Sequence, residues 1–515
     1  MKGAYPDKPA FLAAVADGSI PAVYRELTYR RPSQYYAALR QKYSFILESV
    51  RGSVNTARYS FVGFDPYMTV KAKGSLVEVQ KDGKRSLSSK DPLTKLRELI
   101  GGYKQRASDD LPPFQGGGVG LLSYDLVRCI EDIPNAAIND LDIPLLHFFM
   151  IDRLIAVDHI REKAWLIACP GIRQDGPVFN DAKIDWSHEY DATVDFLDKM
   201  SSFLEDKLSS TAPEGIMESA IPPAATSQRE IEIVHELKKE RYMDMVRRTL
   251  AYIGAGDIFQ ANLSQRLSAR IGDTDPWQIY TLLSRVNPSP FACFLDFGDY
   301  QIVSSSPERL VRVKAETDGS LVVDTRPIAG TRPRGKDFGE DEALRSALLL
   351  NEKERAEHIM LIDLERNDLG RVCRYGTVSV DELMITEDYS HVIHIVSNVM
   401  GVLNSGKDCI DVIRAVFPGG TITGVPKVRC MQIIDELEPV ARGPYTGSVG
   451  YIGFGRNMDI NIIIRSFVVK DGCAYVQAGA GIVADSDPER EYYETLSKAE
   501  ALIKTLKILY CGGSL

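Results

Sequence analysis

The sequence lacks an excess of positive charge, paired cysteines and long apolar runs. Its 515 residues include 61 lysines and arginines against 71 aspartates and glutamates, a net charge of −10 that argues against a nucleic-acid-binding protein. None of the eight cysteines stands in a C-x-x-C pair, so neither a zinc ribbon nor a disulfide framework is expected. No apolar run could span a bilayer and no apolar signal core begins the chain, so the sequence predicts a cytoplasmic protein without a membrane partner.

What the sequence contains is typical of a large globular protein of mixed helix and strand. Apolar residues make up 44% and charged residues 26%, and the length suits two or more domains or one interleaved body. A stretch rich in proline, alanine and serine near its middle predicts a linker. We therefore expect an N-terminal region at residues 1–207, a linker at 208–230 and a second region at 231–515.

Hydrophobic periodicity predicts several individual elements. The alternation over residues 68–79 around a Gly-Ser turn predicts a hairpin, and the glycine-rich residues 116–122 indicate tight backbone packing. We expect a long helix over residues 340–365, a strand over 460–469 and a closing helix over 488–509 with Asp487 as its N-cap.

Two pairs of glutamates lie at helical spacing. Glu491, Glu494 and Lys498 share one face of the closing helix, and Glu354 and Glu357 are three apart in the long middle helix. Taken singly, each pair also fits a solvated helix face. If the two pairs face each other across a cavity, they could hold one Mg²⁺, which prefers carboxylate and substrate oxygens.

Other segments suit the capture of an anion, which an acidic protein must bind with a metal or with placed cations. The loop FPGGTITGVPK, which contains Gly420 and Thr421, precedes a helix and can point N–H groups at an anion. Gly479 and Gly481 allow a ligand to approach a strand end closely. Arg465 stands among apolar residues, so it needs an anion nearby, either a structural aspartate or a substrate carboxylate.

A series of motifs resembles the chorismate-binding enzymes, which include anthranilate, aminodeoxychorismate, isochorismate and salicylate synthases. The motifs occur in the family's order: GDIFQANLSQR, SSPERL, RPIAGTRPRG, EKERAEHIMLIDLERNDLGR, SHVIHIVS, PGGTITGVPKVR, GPYTGSVGY, NIIIRS and AGAGIVADSDPEREYYETLSKA. SFILESV and RYSFVGFDP extend the resemblance into the first half, where they resemble anthranilate synthase large subunits. The resemblance implies an α/β fold with two antiparallel-rich sheets in a sandwich that encloses the active-site cleft, and with helices outside.

The resemblance gives the glutamate pairs a purpose. Glu357 and Glu494 match the family's Mg²⁺ ligands, and Glu354 and Glu491 match the carboxylates that support them. The metal would hold the ring carboxylate of chorismate, a dianion. Glu308 in SSPERL matches the general acid that protonates the departing C4 hydroxyl.

The resemblance also assigns residues to the substrate and to the second chemical step. Tyr445, Arg465, Gly481 and Lys498 match positions that grip the substrate carboxylates, and the glycine loop with Thr421 matches a wall of the pocket. His394 matches the histidine associated with the elimination of pyruvate.

Two positions distinguish among members of the family. Gln260 replaces the lysine base of water-using members, and Ala329 replaces a lysine that aminodeoxychorismate synthases can use as a nucleophile. Direct attack by ammonia at C2 and an anthranilate product are therefore expected, within a hetero-oligomer that includes a separate glutamine amidotransferase subunit. Asn262 and the sequence GGTITGVPKVRCMQIIDELEP, which contains the glycine loop, resemble aminodeoxychorismate synthases more closely. That activity therefore stays open as the alternative.

Feedback inhibition by tryptophan is a further implication of the resemblance. Glu48 and Ser49 match the inhibitor-contacting segment, and Asn287, Pro288 and Ser289 match its second part. Asn461 stands where the family often has a cysteine. These residues could equally serve to pack the N-terminal region onto the rest. An isochorismate synthase and a non-catalytic tryptophan sensor are less favoured, because Gln260 cannot deprotonate water and the motif residues are intact.

Overall fold

Two large sheets organise the protein in the computed structural model, which describes residues 3–50, 52, 57–173, 184–209, 231–388 and 392–512. Within those ranges each sheet has twelve strands, and every pairing in both sheets is antiparallel. The expected two-sheet α/β architecture is confirmed. None of the helices in the described ranges has the length and apolar character that a membrane span requires.

Sheet one runs from a pair of strands late in the chain to a hairpin near its start. Its order is β19 (Ile328–Pro333), β21 (Val392–Val402), β18 (Leu321–Thr325), β17 (Arg309–Ala315), β24 (Met458–Asn461), β23 (Ser448–Gly453), β9 (Gly117–Leu122), β10 (Leu146–Ile151), β5 (Met68–Lys73), β6 (Leu76–Lys81) and β7 (Lys84–Ser88), and β20 (Ser379–Asp388) also pairs with β21.

Sheet two also combines strands from the first and the second half of the chain. Its order is β13 (Val234–His235), β14 (Gln260–Arg270), β26 (Cys473–Ile482), β25 (Ser466–Lys470), β16 (Tyr300–Ser306), β15 (Phe291–Asp296), β3 (Ser44–Glu48), β4 (Tyr59–Gly63), β11 (Arg153–Asp158), β12 (Lys163–Ala168) and β2 (Val23–Leu27), and β22 (Gly424–Val425) also pairs with β14. A separate parallel pair joins β1 (Ile20–Pro21) and β8 (Gln105–Arg106).

The helices flank these sheets. They are α1 (Lys8–Ala16), α2 (Pro32–Leu39), α3 (Pro92–Gly101), α4 (Trp186–Ser209), α5 (Lys239–Gly254), α6 (Pro276–Val286), α7 (Phe338–Leu350), α8 (Glu352–Gly370), α9 (Cys409–Val416), α10 (Lys427–Leu437) and α11 (Pro488–Cys511), with short 3-10 turns at Tyr124–Cys129 and Gly420–Ile422.

Both predicted regions contribute strands to both sheets. In sheet one β9 pairs with β23, and in sheet two β3 pairs with β15, so each seam joins residues from before and after the predicted linker. Residues 210–230 of that linker lie outside the described part of the chain, and the proposed boundary stays a prediction.

Apolar side chains from the two sheets meet in a shared core. Phe61 of sheet two lies 5.4 Å, centroid to centroid, from Tyr451 of sheet one, and Phe149 of sheet one lies 4.8 Å from Phe297. A second cluster beneath α5, α10 and α11 covers the outer face of β14 and β26. Burial of these rings and aliphatic side chains, at about 25 cal/mol per Å² of apolar surface, is the main favourable term for the sandwich.

Several local predictions are confirmed by geometry. The predicted hairpin is β5–β6, with Met68 opposite Lys81. In the glycine-rich strand β9, a Cβ at Gly120 would lie 2.1 Å from the carbonyl oxygen of His147, so no larger residue fits between its neighbours. Asp487 caps α11 by accepting hydrogen bonds from the N–H groups of Glu489 and Arg490.

Two predicted elements are wrong in extent. The helix expected over residues 340–365 is interrupted at Asn351, whose backbone is extended and whose side chain accepts from Glu354 N, so it ends α7 and caps α8. The strand expected over residues 460–469 is two strands in different sheets, β24 and β25, and Arg465 lies between them with φ at +53°. Apolar residues continue through the connection because both sheets bury it.

Candidate active site

Two chain crossovers between the sheets form the base of the candidate site. Glu308 lies where the chain leaves sheet two for sheet one, and Arg465 lies where it returns. The crossovers are bonded to each other: Ile462 N donates to Glu308 O at 3.0 Å, and Ser305 N donates to Arg465 O at 3.2 Å. The fold therefore fixes an acidic and a basic residue side by side at the seam between the sheets.

Glu308 is a buried acid with a fixed orientation. Its carboxyl accepts a hydrogen bond from Thr421 Oγ1 at 2.9 Å, and its side chain is 6% exposed. Burial raises the pKa of Glu308 to about 7, against the opposing effects of Thr421, the Ile328 N–H and the charge of Lys498. Such a group can hold a proton near neutral pH and release it to a substrate oxygen.

A buried ion pair braces the glycine loop that carries Thr421. Arg442 donates to both carboxylate oxygens of Glu438, at 2.9 and 2.7 Å, and also to the carbonyls of Ile422 and Asn262. It thereby joins the loop to the start of β14. The sequence did not predict this brace, because two opposite charges four residues apart are equally typical of an exposed helical pair.

The start of β14 and the end of β26 form the floor of the site. A Cβ on Gly481 would lie 2.6 Å from Gln260 Nε2, and a Cβ on Gly479 would lie 2.4 Å from Asn262 Oδ1 and 2.8 Å from Tyr445 Oη. The glycines therefore leave room for these polar side chains. Asn262 belongs to the site although its sequence context gave only a family likeness, and its Oδ1 is buried without a hydrogen-bond partner among the described residues.

Lys498 joins this floor to the closing helix. Its Nζ donates to Gly479 O at 3.1 Å and pairs with Glu494 at 3.0 Å, and its charge acts on Glu308. Lys498 is thus partly exposed, with 40% of its side chain accessible, and lies at the edge of the site. The ammonium can attract a substrate carboxylate and lower the pKa of the acid beside it.

His394 lies on the other wall, against a bulge between β19 and β21. Its Nδ1 lies 3.0 Å from Gly330 O, and since a carbonyl only accepts, the proton is on Nδ1 and Nε2 is the basic nitrogen. Burial, with a smaller contribution from the charge of Arg465, lowers the pKa of His394 to about 4. The imidazole is therefore neutral at physiological pH. Ala329 lies at the same bulge.

Glu354 reaches the same bulge from α8. Its Oε2 would lie 2.8 Å from a Cβ at Gly330, and Gly330 has a φ of +64°, so both space and backbone require glycine there. Glu354 also pairs with Arg332 at 3.0 Å.

Arg465 supplies positive charge that no carboxylate in the described part of the chain compensates. Among the described residues no carboxylate lies within ion-pairing distance of its guanidinium, and desolvation lowers its pKa. The structural aspartate that the sequence left open as its partner is therefore not present in the described ranges. A largely enclosed guanidinium without a carboxylate partner among the described residues is suited to an anionic ligand.

The four predicted metal residues lie on two helices that border this space. Glu354 and Glu357 are on α8, and Glu491 and Glu494 are on α11. In the described ranges no three acidic, histidine or cysteine residues cluster as a metal site would require. Carboxylate oxygens are nevertheless the donors that Mg²⁺ prefers, and it needs only one or two when substrate and water complete its shell. The metal assignment stays a prediction.

The six residues predicted for an inhibitor meet around the start of β15. Glu48 pairs with Ala292, Ser49 Oγ donates to Pro290 O at 3.2 Å, and Asn461 Nδ2 donates to Phe291 O at 3.3 Å. The remaining three, which complete the cluster, are Asn287, Pro288 and Ser289. Glu48 accepts from Tyr280 at 2.7 Å, and burial raises its pKa. These contacts join the N-terminal region to the rest, and inhibitor binding stays a prediction.

Comparison with known proteins agrees with this geometry. The family described as chorismate binding enzyme matches residues 42–504. The chain belongs to this family. Among curated chorismate-binding relatives, it is 42% identical to aminodeoxychorismate synthase component 1 of Bacillus subtilis, over 92% of this chain and 93% of the relative. It is 41% identical to anthranilate synthase component 1 of Acetivibrio thermocellus, over 90% of each chain.

A solved structure of the family has the same architecture. Anthranilate synthase component I from Streptococcus pneumoniae TIGR4 superposes with a TM-score of 0.73 at 32% identity, covering 93% of this chain and 99% of that one. The chain is thus a chorismate-utilising enzyme of the anthranilate synthase and aminodeoxychorismate synthase type.

Proposed function

We propose that the chain is the large aminating subunit of an anthranilate synthase, which converts chorismate and ammonia to anthranilate and pyruvate. The observation that carries the proposal is the buried acid Glu308, held by Thr421 on a crossover whose backbone is bonded to the crossover that carries Arg465. Chorismate is a dianion with a hydroxyl to be expelled, so it needs both a cationic grip and a proton donor. This site offers the two together.

Binding rests on cations and backbone groups. Arg465 and Lys498 attract the enolpyruvyl carboxylate, Gly481 lets it approach the strand, and Tyr445 lines the floor. The glycine loop from Gly420 lies on the side of the ring carboxylate. Mg²⁺, held by Glu357 and Glu494 with Glu354 and Glu491 in support, would neutralise that carboxylate and draw electron density as the ring rearranges.

In the first step Glu308 acts as the general acid. The nitrogen of ammonia forms a bond to C2, both ring double bonds shift by one position, and the C4–O bond breaks as the Glu308 proton passes to the oxygen, which leaves as water. The attached nitrogen then loses one proton, and Glu308 regains one. A carboxyl with a pKa of about 7 suits both directions of this exchange.

The second step makes the ring aromatic. The C2–H bond and the C3–O bond break, and the enolpyruvyl group gains a proton on its methylene carbon to leave as pyruvate. His394 serves as the proton carrier, because its neutral ring presents a basic Nε2 while Nδ1 is held by Gly330 O.

Two side chains favour ammonia over other nucleophiles. Gln260, over Gly481, cannot remove a proton from water, and Ala329, at the β19 bulge, has no amine to attack C2. The alternative product, an aminodeoxychorismate, is supported by the relative from Bacillus subtilis and by Asn262 in the floor of the site. An isochorismate synthase or a non-catalytic sensor remains less favoured.

A glutamine amidotransferase subunit is the proposed source of ammonia, in a hetero-oligomer, since relatives carry the name component 1. Tryptophan is the proposed feedback inhibitor, at the cluster around the start of β15.

The direct test is incubation of purified protein with chorismate, Mg²⁺ and ammonium salt at mildly alkaline pH. Fluorescence of anthranilate should rise, and Glu308→Gln should abolish the rise. The matched control Asp363→Asn removes one exposed carboxylate from α8 and should retain activity. An amino-chorismate that needs a separate lyase would favour the alternative, and isochorismate would contradict the role of Gln260.

A further inference from the structure

A fully paired arginine lies behind the glycine loop, and no step above uses it. Arg442 is 3% exposed, and each of the five N–H groups of its guanidinium has an acceptor. Two of them donate to the carboxylate oxygens of Glu438, at 2.9 and 2.7 Å. The other three donate to Ile422 O at 2.9 Å, Asn262 O at 2.7 Å and Thr446 Oγ1 at 3.3 Å. These contacts fix the guanidinium in one position.

The charge of Arg442 is cancelled where it lies. Glu438 is buried with it, and the exposed fractions of the two side chains are 3% and 1%. Glu438 also accepts from the N–H and the hydroxyl of Ser264 on β14, at 2.8 and 2.9 Å. Arg465, by contrast, has no carboxylate within ion-pairing distance among the described residues. Arg465 can therefore offer charge to an anion, whereas Arg442 can offer only a fixed geometry.

One part of that geometry is the turn that orients the buried acid. Ile422, whose carbonyl accepts from Arg442, is the residue after Thr421. The hydroxyl of Thr421 donates to Glu308 Oε1 at 2.9 Å. The guanidinium thus anchors the turn one residue from the group that holds the acid.

The other part is the floor of the site. Asn262 is tied to the loop region at both ends of its backbone, because its carbonyl accepts from Arg442 and its N–H donates to Thr423 O at 2.8 Å. The guanidinium carbon also lies 5.6 Å from the ring centroid of Tyr445. A Cβ on Gly479 would lie close to both the Asn262 and the Tyr445 side chains. One buried side chain therefore contacts the loop and the floor together.

We propose that Arg442 is a positioning residue that keeps Thr421 in hydrogen-bonding contact with Glu308 and holds Asn262 and Tyr445 in the floor of the site. The role rests on the proposed function, in which Glu308 protonates the C4 oxygen. Arg442 acts on the substrate only through these residues. Its loss should therefore slow the chemistry and leave the binding of the dianion intact.

The proton of Glu308 gives this role a measurable signature. Burial raises the pKa of Glu308 to about 7, and the hydrogen bond from Thr421 opposes that rise. If the turn is released and this bond is lost, the pKa of Glu308 should rise further. The other charges that act on Glu308 are those of Lys498 on α11 and Glu365 on α8, and both residues are retained in every variant below.

The variant Arg442→Lys separates position from charge. A lysine keeps a positive charge beside Glu438, so the buried carboxylate retains a cation. Its three N–H groups on one atom cannot reach the two carbonyls as the planar guanidinium does. Arg248→Lys is the matched control, because Arg248 pairs with Glu436 on α10 and the two side chains are 42% and 43% exposed.

An infrared titration of carboxyl groups in the complete protein without substrate measures the effect on Glu308, whose signal is the intensity that Glu308→Gln removes in each background. Arg442→Lys should raise the midpoint, near pH 7 in the wild type, by roughly half to one unit, the effect of one hydrogen bond. Thr421→Val should give the same shift, and the double variant no further one, because both changes break one bond. Arg248→Lys should titrate like the wild type. An unchanged midpoint in Arg442→Lys, or shifts that add in the double variant, would overturn the proposal.

Steady-state kinetics measure the consequence for the reaction. With free ammonia held constant, Arg442→Lys should lower kcat by about tenfold to a hundredfold and leave KM for chorismate unchanged. The alkaline limb of kcat/KM should move to higher pH, because Glu308 acts in its protonated form. A lower unfolding temperature with kcat per folded molecule and the limb unchanged would mean that Arg442 is only structural. If the wild type does not turn over chorismate, the proposed function fails, and the infrared titration still decides whether Arg442 maintains the bond between Thr421 and Glu308.

Discussion

Thr421 Oγ1 donates a 2.9 Å hydrogen bond to Glu308 Oε1. The donor lies in a turn of the glycine loop and the acceptor on a crossover between the sheets, so one bond joins two distant parts of the chain at the seam. It orients the acid and moderates the rise in pKa that burial causes. The chemistry and the stability of the protein are therefore linked through Glu308.

Glu308→Gln should abolish turnover and stabilise the fold at alkaline pH. The unfolded chain releases this proton near pH 4.5 and the folded chain holds it to about pH 7, so stability falls as pH rises between the two values. Glutamine removes that cost, with a gain of about 3 kcal/mol at pH 8 that shrinks below pH 5. Thermal unfolding of both proteins at the two pH values measures it, and a gain equal at both would contradict the assignment.

Arg465→Met should weaken chorismate binding without destabilising the protein. The guanidinium has no ion-pair partner among the described residues, so its removal ends a desolvation cost. Loss of the charged contact should raise KM at least about tenfold. Steady-state kinetics and thermal unfolding check the two effects together. A fall in melting temperature with unchanged KM would mean that Arg465 has a structural role instead.

Gly481→Ala should displace Gln260 and leave the fold intact. The added Cβ would lie 2.6 Å from Gln260 Nε2, the end of a flexible side chain, and meets no backbone within 4 Å. We expect KM for ammonia and chorismate to rise, with little change in unfolding temperature. Gly254→Ala is the matched control, since nothing lies within 4 Å of its Cβ. Equal kinetics in the two variants would remove position 481 from the site.

Gln260→Lys should introduce a base and allow water to compete with ammonia. The side chain at this position lies over Gly481, beside the predicted ring, so a lysine amine there could deprotonate water. Chromatography of the products should detect isochorismate. Gln260→Met, which has similar size and no base, should form none. Isochorismate from both variants, or from neither, would show that residue 260 does not select the nucleophile.

Local sequence chemistry predicted much of this protein. The hairpin at β5–β6, the cap at Asp487 and the motif that contains Glu308 each depend on neighbouring residues, and the structure contains them. The separation of β24 from β25 was not predictable, because an apolar run is equally suited to one long strand or to two strands buried in different sheets. The two cases are distinguished only by the strands that each half pairs with, β17 and β23 for β24, and β16 and β26 for β25.

The interior polar groups were harder to predict. Glu365 occurs in an ordinary charged stretch of α8, yet the structure buries it, with 4% of the residue exposed. Arg442 and Glu438 resemble an exposed pair at helical spacing, yet each is buried. Asn351 did carry a usable signal: an asparagine three residues before a glutamate is a helix N-cap pattern.

The central claim is that this site adds ammonia to C2 of chorismate and then releases pyruvate. The most direct measurement is to incubate the protein with chorismate, Mg²⁺ and ¹⁵N-labelled ammonium, and to examine the product by proton–nitrogen NMR alongside a pyruvate assay. The account predicts ortho-aminobenzoate with ¹⁵N on the carbon next to the carboxylate, and one pyruvate for each molecule formed. A product with ¹⁵N at C4 and the enolpyruvyl group retained would contradict it.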